Sequence, residues 1–195
     1  SLFAYENPVV DGLLEQWRDA AGPIVLLVPE GRISGAVARF FGLPSFGAAP
    51  GVAGSGAHAE RGNLRAHALP FVAQARYDAL LWASHLNFVR GEDSFVRAQW
   101  ARRPFVWHIY PQADDAHLPK LDAALAHYAA PLPPAARSAM DRFWHAWNGA
   151  GTPDWREFWS HRAAYEARAA AWADELATLG ELAENLARFI KTQLK

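Results

Sequence analysis

The chain has 195 residues, 51% of them hydrophobic, which suits one domain with a sizeable core and is short for two. Its formal net charge of -1, without an extended basic run, excludes a phosphate-tracking surface, so no nucleic-acid partner is expected. The absence of cysteine excludes a disulfide framework, a thiol nucleophile and cysteine metal sites.

The opening Ser1, in place of methionine, is expected of a processed chain or a piece of a longer one. Residues 1–5, "SLFAY", read as a first strand. Asn7 then suits an N-cap and Pro8 a first helical position, opening a helix through Leu13, Leu14 and Trp17. Residues 24–28, "IVLLV", read as the second strand. This run, flanked by Pro23 and Pro29, is far too short to cross a bilayer, so a cytoplasmic protein with no membrane partner is expected. A helix with Ile33, Val37, Phe40 and Phe41 follows.

Residues 42–63, "GLPSFGAAPGVAGSGAHAERGN", read as a long surface loop from their Gly, Ala, Ser and Pro content. The Gly54-Ser55-Gly56 triplet has no strand before it and makes only a weak phosphate-loop signal. A third strand lies within 64–71, leading to a helix carrying Tyr77, Leu80 and Leu81. "LNFV" (86–89) and "PFVWHIY" (104–110) are the fourth and fifth strands, with a helix between them. Continuous apolar strands alternating with helices predict a Rossmann-like, doubly wound parallel α/β sheet over 1–113. After residue 114 only helical patterns remain, over 117–129, 135–147, 154–179 and 181–194, forming a helical extension (114–195) of one domain.

Open parallel sheets gather ligands at the carboxyl ends of their strands. Tyr5-Glu6-Asn7, Leu69-Pro70-Phe71 with Gln74, and Arg90-Gly91-Glu92-Asp93-Ser94 should meet there. Acids in a first helical turn favour the helix dipole, and capping alone accounts for Glu92 and Asp93. The functional reading uses the same helix start as an anion site, with Gly91 allowing close approach and the Ser94 hydroxyl donating to a phosphate. Glu92 or Asp93 would then accept from sugar hydroxyls, and Arg90 would balance the charge. Phe71 reads equally as a core-edge side chain or as a platform for a base. Tyr5 and Tyr110 both end strands and can reach the same cleft.

His108 reads as a packed or hydrogen-bonded histidine of the fifth strand, and Asp114-Asp115 as the N-cap and first-turn acid of a helix, not as metal ligands. The tryptophans at 144, 147, 155, 159 and 172 read as helix-packing groups. No GxSxG, P-loop or HExxH motif is present. The residues support a nucleotide-type ligand site and, from themselves, nothing narrower.

The stretches "SLFAYENP", "LPFVAQARYDALLWASHLNFVRGEDSFVRAQWARRPFVWHIYPQ", "DAHLPKLDA" and "ENLARFIK" closely resemble the carboxyl-terminal half of the bacterial protein-arginine rhamnosyltransferases that modify elongation factor P, the EarP family. The resemblance runs over essentially the whole chain. It implies half of an inverting GT-B glycosyltransferase whose amino-terminal domain, with the general base and acceptor surface, lies outside this chain. The implied donor is dTDP-β-L-rhamnose, the acceptor an arginine of elongation factor P, and the chemistry free of metal and cofactor. The resemblance places Phe71 on thymine with Gln74 beside it, and Tyr5 and Tyr110 at the diphosphate. It places Glu92, Asp93 and Ser94 on ribose and phosphates, with Arg90 needed for activity and Phe3 and Tyr77 lining the pocket. Arg90, Glu92 and Asp93 are the implied catalytic group within this half. Ala4 stands where the family pattern leads one to expect cysteine. A last helix that crosses to the other domain, as GT-B enzymes commonly have, would leave apolar surface at Trp159, Trp172 and Phe189. The alternative is a non-catalytic nucleotide-binding or interaction domain of the same fold.

Overall fold

The apolar run after Pro23 forms β1 (Ile24–Pro29), and the alternating stretch after Asn63 forms β3 (Leu64–Leu69), its parallel neighbour in register from Ile24 opposite Leu64 to Pro29 opposite Leu69. In a computed structural model that describes residues 1–47, 56–71 and 73–193, the chain is mixed α/β. Beside β3 lies β2 (His58–Arg61), antiparallel, giving a three-stranded sheet in the order β1-β3-β2. β4 (Asn87–Arg90) and β5 (Phe105–His108) pair in parallel as a second sheet.

The expected first strand is reduced to a bridge. Leu2 N–H donates to Leu27 O at 2.8 Å, Phe3 N–H to Phe88 O at 3.0 Å, and Phe88 N–H to Ser1 O at 2.9 Å. Residues 1–3 therefore lie between β1 and β4 and join the two sheets. The chain turns away at Asn7-Pro8 before a regular ladder can extend.

β2 corrects the expectation of an irregular loop over 42–63. Its signal was a Gly62-Asn63 turn between two extended runs, disguised because His58–Arg61 is a polar edge strand. Gly62 has φ +60°, and a Cβ there would come within 2.5 Å of Arg18 O, so the turn needs glycine. Gly54 and Ser55 lie outside the described residues.

The helices α1 (Val10–Arg18), α2 (Ser34–Phe41), α3 (Gln74–Ala83) and α4 (Asp93–Trp100) connect the strands. α1 begins two residues later than Pro8. Asn7 still organises the entry, because its Oδ1 accepts from Val9 N–H at 3.1 Å while its Nδ2 donates to Trp147 O at 2.8 Å. Asp114 and Asp115 are not an N-cap and a first-turn acid. They sit in a 3-10 turn with φ of 55° and 54°, and α5 (Leu118–Tyr128) starts only after His117.

The remaining helices are α6 (Pro134–Trp147), α7 (Trp155–Ser160), α8 (Arg162–Ala177) and α9 (Leu182–Gln193). The Trp-rich segment splits at His161, and Asp154 caps the start of α7 by accepting from Glu157 N–H. α6 covers the β4–β5 sheet: the Trp147 ring lies 4.8 Å from Phe88, and Trp144 lies 5.4 Å from Phe105. Asn148 fastens this layer, accepting from Ile109 N–H at 3.0 Å and donating to Trp107 O at 2.8 Å. Trp144, Trp147 and Trp155 are buried, and Trp159 and Trp172 are half-buried against the same core. α9 buries no residue, and Leu182, Leu186, Phe189 and Ile190 stand exposed on it. Among the described residues no helix is long and apolar enough to cross a membrane.

Candidate functional site: a cleft at the carboxyl ends of the parallel strands

β1, β3 and β4 run parallel and end on one edge, with Phe3 and Tyr5 emerging between them. There Phe3, Tyr5, Glu30, Phe71, Gln74, Tyr77 and the Arg90–Ser94 run line an open cavity of about 550 Å³. This volume suits a small organic ligand. Two further hollows, of about 320 and 850 Å³, lie at the opposite edge beside Pro23, Ile24, Trp155 and Trp159, away from where parallel sheets collect ligands.

Phe71 is 82% exposed at the rim, so it is not packed as a core-edge side chain among the described residues. Arg90 lines the same cavity. Its guanidinium carbon is 4.3 Å from the Phe3 ring centre and 5.0 Å from that of Tyr5, and Nη1 donates weakly to Ala4 O at 3.4 Å. Among the described residues it makes no ion pair, and burial lowers its pKa below the usual guanidinium value. A half-buried cation between two aromatic faces is a site for an incoming anion.

The next residue makes that approach possible. Gly91 has φ +61°, and a Cβ there would lie 2.9 Å from the Tyr5 hydroxyl. Its N–H donates to His108 O at 3.2 Å, and its carbonyl accepts from Trp107 Nε1 at 2.7 Å, which pins the turn to β5. α4 follows at once. Its first bond at the amino end runs from Val96 N–H to Glu92 O at 2.9 Å, so the N–H groups of Asp93, Ser94 and Phe95 precede the helical ladder. They add positive potential beside Arg90.

Ser94 departs from its expected role. Its side chain is buried, its hydroxyl donates to Arg90 O, and it accepts from Arg90 N–H at 3.0 Å. The hydroxyl proton is thus engaged in closing the turn, and Ser94 can offer a ligand only its backbone N–H without rearrangement. Tyr77 lies behind it, 5.7 Å from Phe3 in an edge-to-face pair. Burial raises the Tyr77 pKa above the usual phenol range, and the Ser94 hydroxyl opposes that rise, although no hydrogen-bond geometry joins the two.

Asp93 is held from two sides. Arg97 Nε donates to it at 3.1 Å and Gln74 Nε2 at 3.3 Å, while Arg97 Nη1 also reaches Asp78 at 3.0 Å. Glu92, one residue earlier, is exposed and makes no ion pair among the described residues. Tyr110 is not part of the cavity wall. It stands outside, 55% exposed, with its ring 5.6 Å from Tyr5. His108 is packed as expected, under Tyr5 and against Trp147, and burial lowers its pKa to about 4, so it is neutral at physiological pH.

Glu30 in the wall and the Arg97–Asp78 pair were missed from sequence. Glu30 sits directly after β1, a position that could have flagged it. Arg97 stands four residues after Asp93, the spacing of a helical ion pair. Asp78 is 19 positions from Arg97 and had no local signal. Among the described residues no group of three or more metal-ligating side chains occurs.

The fold and the cleft define a mixed α/β protein with an open cavity at the carboxyl edge of its parallel strands. The family model described as "Elongation-Factor P (EF-P) rhamnosyltransferase EarP" matches residues 1–191, so the chain belongs to the EarP family. It is similar to the protein-arginine rhamnosyltransferase of Pseudomonas aeruginosa, 46% identical over 97% of this chain and 49% of that protein. That of Pseudomonas putida is 41% identical over 100% of this chain and 50% of the relative. A solved structure described as the "structural basis for EarP-mediated arginine glycosylation of translation elongation factor EF-P" superposes with a TM-score of 0.83 at 38% identity, covering 98% of this chain and 59% of its own. The chain spans about half the length of the curated relatives it matches.

Proposed function

We propose that the chain is the donor-binding half of a protein-arginine rhamnosyltransferase that modifies elongation factor P in the cytoplasm, and that the cleft holds dTDP-β-L-rhamnose. The observation that carries this reading is Phe71, exposed at the rim of the cavity that it shares with an Arg90 that has no acidic partner among the described residues. An aromatic platform facing a cation beside a helix amino end suits a base joined to a diphosphate. Family membership supports the same ligand.

The two sheets and the segment joining them act as one doubly wound sheet, half of a GT-B enzyme. Thymine stacks on Phe71 with Gln74 beside it, and Phe3 and Tyr77 close the inner wall. The diphosphate lies toward Arg90, the Asp93–Phe95 amides and the Tyr5 hydroxyl, and Tyr110 reaches it from outside by turning about the Tyr5 edge. Glu92 and Asp93 accept from deoxyribose or rhamnose hydroxyls.

In the transfer, a guanidine nitrogen of the acceptor forms a bond to the anomeric carbon as the carbon–oxygen bond to dTDP breaks, inverting that carbon. The electron pair leaves with the diphosphate, whose growing charge is met by Arg90 and the helix amides. The acceptor arginine is protonated at neutral pH, with a pKa above about 12, so a carboxylate must orient it and take up its proton. That base belongs to the other half of the protein, and this chain alone is expected to bind donor without transferring rhamnose. The same missing half covers the exposed face of α9.

The test is transfer by the full-length protein. With dTDP-rhamnose and elongation factor P, one arginine should gain a deoxyhexose by mass spectrometry, and Arg90→Ala should reduce turnover by at least about 100-fold. Full activity in Arg90→Ala would overturn the assignment of the leaving group to this cleft.

A further inference from the structure

A carboxylate only accepts hydrogen bonds, and a glutamine amide has one donating end and one accepting end. Which end of Gln74 faces the cleft is therefore set by its neighbour. Asp93 takes Nε2 at 3.4 and 3.3 Å through its two oxygens, which leaves Oε1 free to accept from a ligand in the cavity that Gln74 lines. Among the described residues Oε1 has no partner. Asp93 could not hold this position unaided, since it is exposed at a helix start. Arg97 holds it, with Nε on Asp93 at 3.1 Å and Nη1 on Asp78 at 3.0 and 3.1 Å. The two carboxylates lie on different helices, α4 and α3, and the planar guanidinium spans both.

Resting on the donor reading above, we infer that Asp78, Arg97, Asp93 and Gln74 form a positioning relay that presents the Gln74 oxygen to the base and so selects pyrimidines carrying an N3–H. Thymine has a hydrogen on N3 and meets an acceptor there. Cytosine has a lone pair on N3 and faces repulsion from the same oxygen. Arg97 and Asp78 line no part of the cavity, so they act through Asp93 and Gln74. The relay also explains why Asp93 is clamped while its neighbour Glu92 is not: Asp93 orients Gln74 in addition to facing the sugar, and Glu92 faces the sugar alone.

The experiment compares dTDP with dCDP by calorimetry on the 195-residue chain and on two variants, Asp93→Asn and Arg97→Ala, each checked for an unchanged circular-dichroism spectrum. The unmodified chain should prefer dTDP by about tenfold, the value of one well-placed hydrogen bond. Asp93→Asn offers an amide that can donate to Gln74 Oε1 and turn Nε2 to the cleft, so the preference should vanish or reverse. Arg97→Ala should lower it several-fold, mostly through weaker dTDP binding. A merely structural role would weaken both ligands alike. If the unmodified chain prefers dTDP and both variants keep that preference, the relay is wrong and the donor reading stands. If one variant does not fold, the other decides by the same criterion. If the unmodified chain binds neither nucleotide, the donor reading fails and takes the relay with it.

Discussion

At the scale of single residues, position 91 is constrained by both its backbone and its neighbour. Its φ of +61° and the Tyr5 hydroxyl 2.9 Å from a would-be Cβ leave no room for a side chain. Gly91→Ala should cost about 1–2 kcal/mol from the left-handed backbone alone, read as a lower urea midpoint, and should also displace Tyr5. Phe71 gives the opposite expectation. At 82% exposure its truncation removes little packing, so Phe71→Ala should leave stability within about 0.5 kcal/mol. The same variant should weaken dTDP binding roughly 5- to 150-fold, the range of a lost base–aromatic stack. A structural phenylalanine would reverse that pattern. The sequence identified Phe71 as a candidate but left two readings, because exposure depends on what folds over a residue and not on its neighbours in the chain. The partners of the Ser94 hydroxyl were hidden for a related reason: they are chosen by the turn it closes, and Arg90 supplies both groups.

At the scale of elements, apolar continuity made β1, β4 and β5 legible, and helical periodicity did the same for α5, α6, α8 and α9. β2 was hidden because an edge strand has little to bury, and its polar residues resembled the loop before it. The first strand was overestimated, since pattern reports what can be buried and not how many residues stay in a ladder. β5 carries a pH consequence. His108 titrates at about 4 in the folded chain and near 6.5 when unfolded, so its folded form binds its proton less readily. Its stability contribution is complete above pH 6.5 and is lost as pH falls from 6.5 towards 4, by roughly 3 kcal/mol in all. His108→Asn should flatten the denaturation midpoint against pH within that window; an unchanged slope would show that another group titrates. α9 makes a simpler prediction. None of its residues is buried, so ending the chain before Leu182 should move the melting temperature by no more than about 2 °C.

At the scale of the whole molecule, Phe71, Arg90, the α4 amino end and the Gln74–Asp93 pair come from different turns and meet at one edge of the joined sheets. The composition of each turn was visible in sequence; their convergence required the fold. Only the Arg97–Asp93 half of the clamp had a local signal; Asp78 had none, because it stands 19 residues before Arg97 on another helix. A thymidine diphosphate must sit at this edge if the chain is the donor-binding half. The most direct measurement is a crystal structure of the chain soaked with dTDP. It should place thymine against the Phe71 ring and the diphosphate between Arg90 and the Asp93–Phe95 amides, with the Gln74 oxygen toward N3. Density for dTDP at the opposite edge, beside Trp155 and Trp159, with the Phe71 cleft empty, would contradict it.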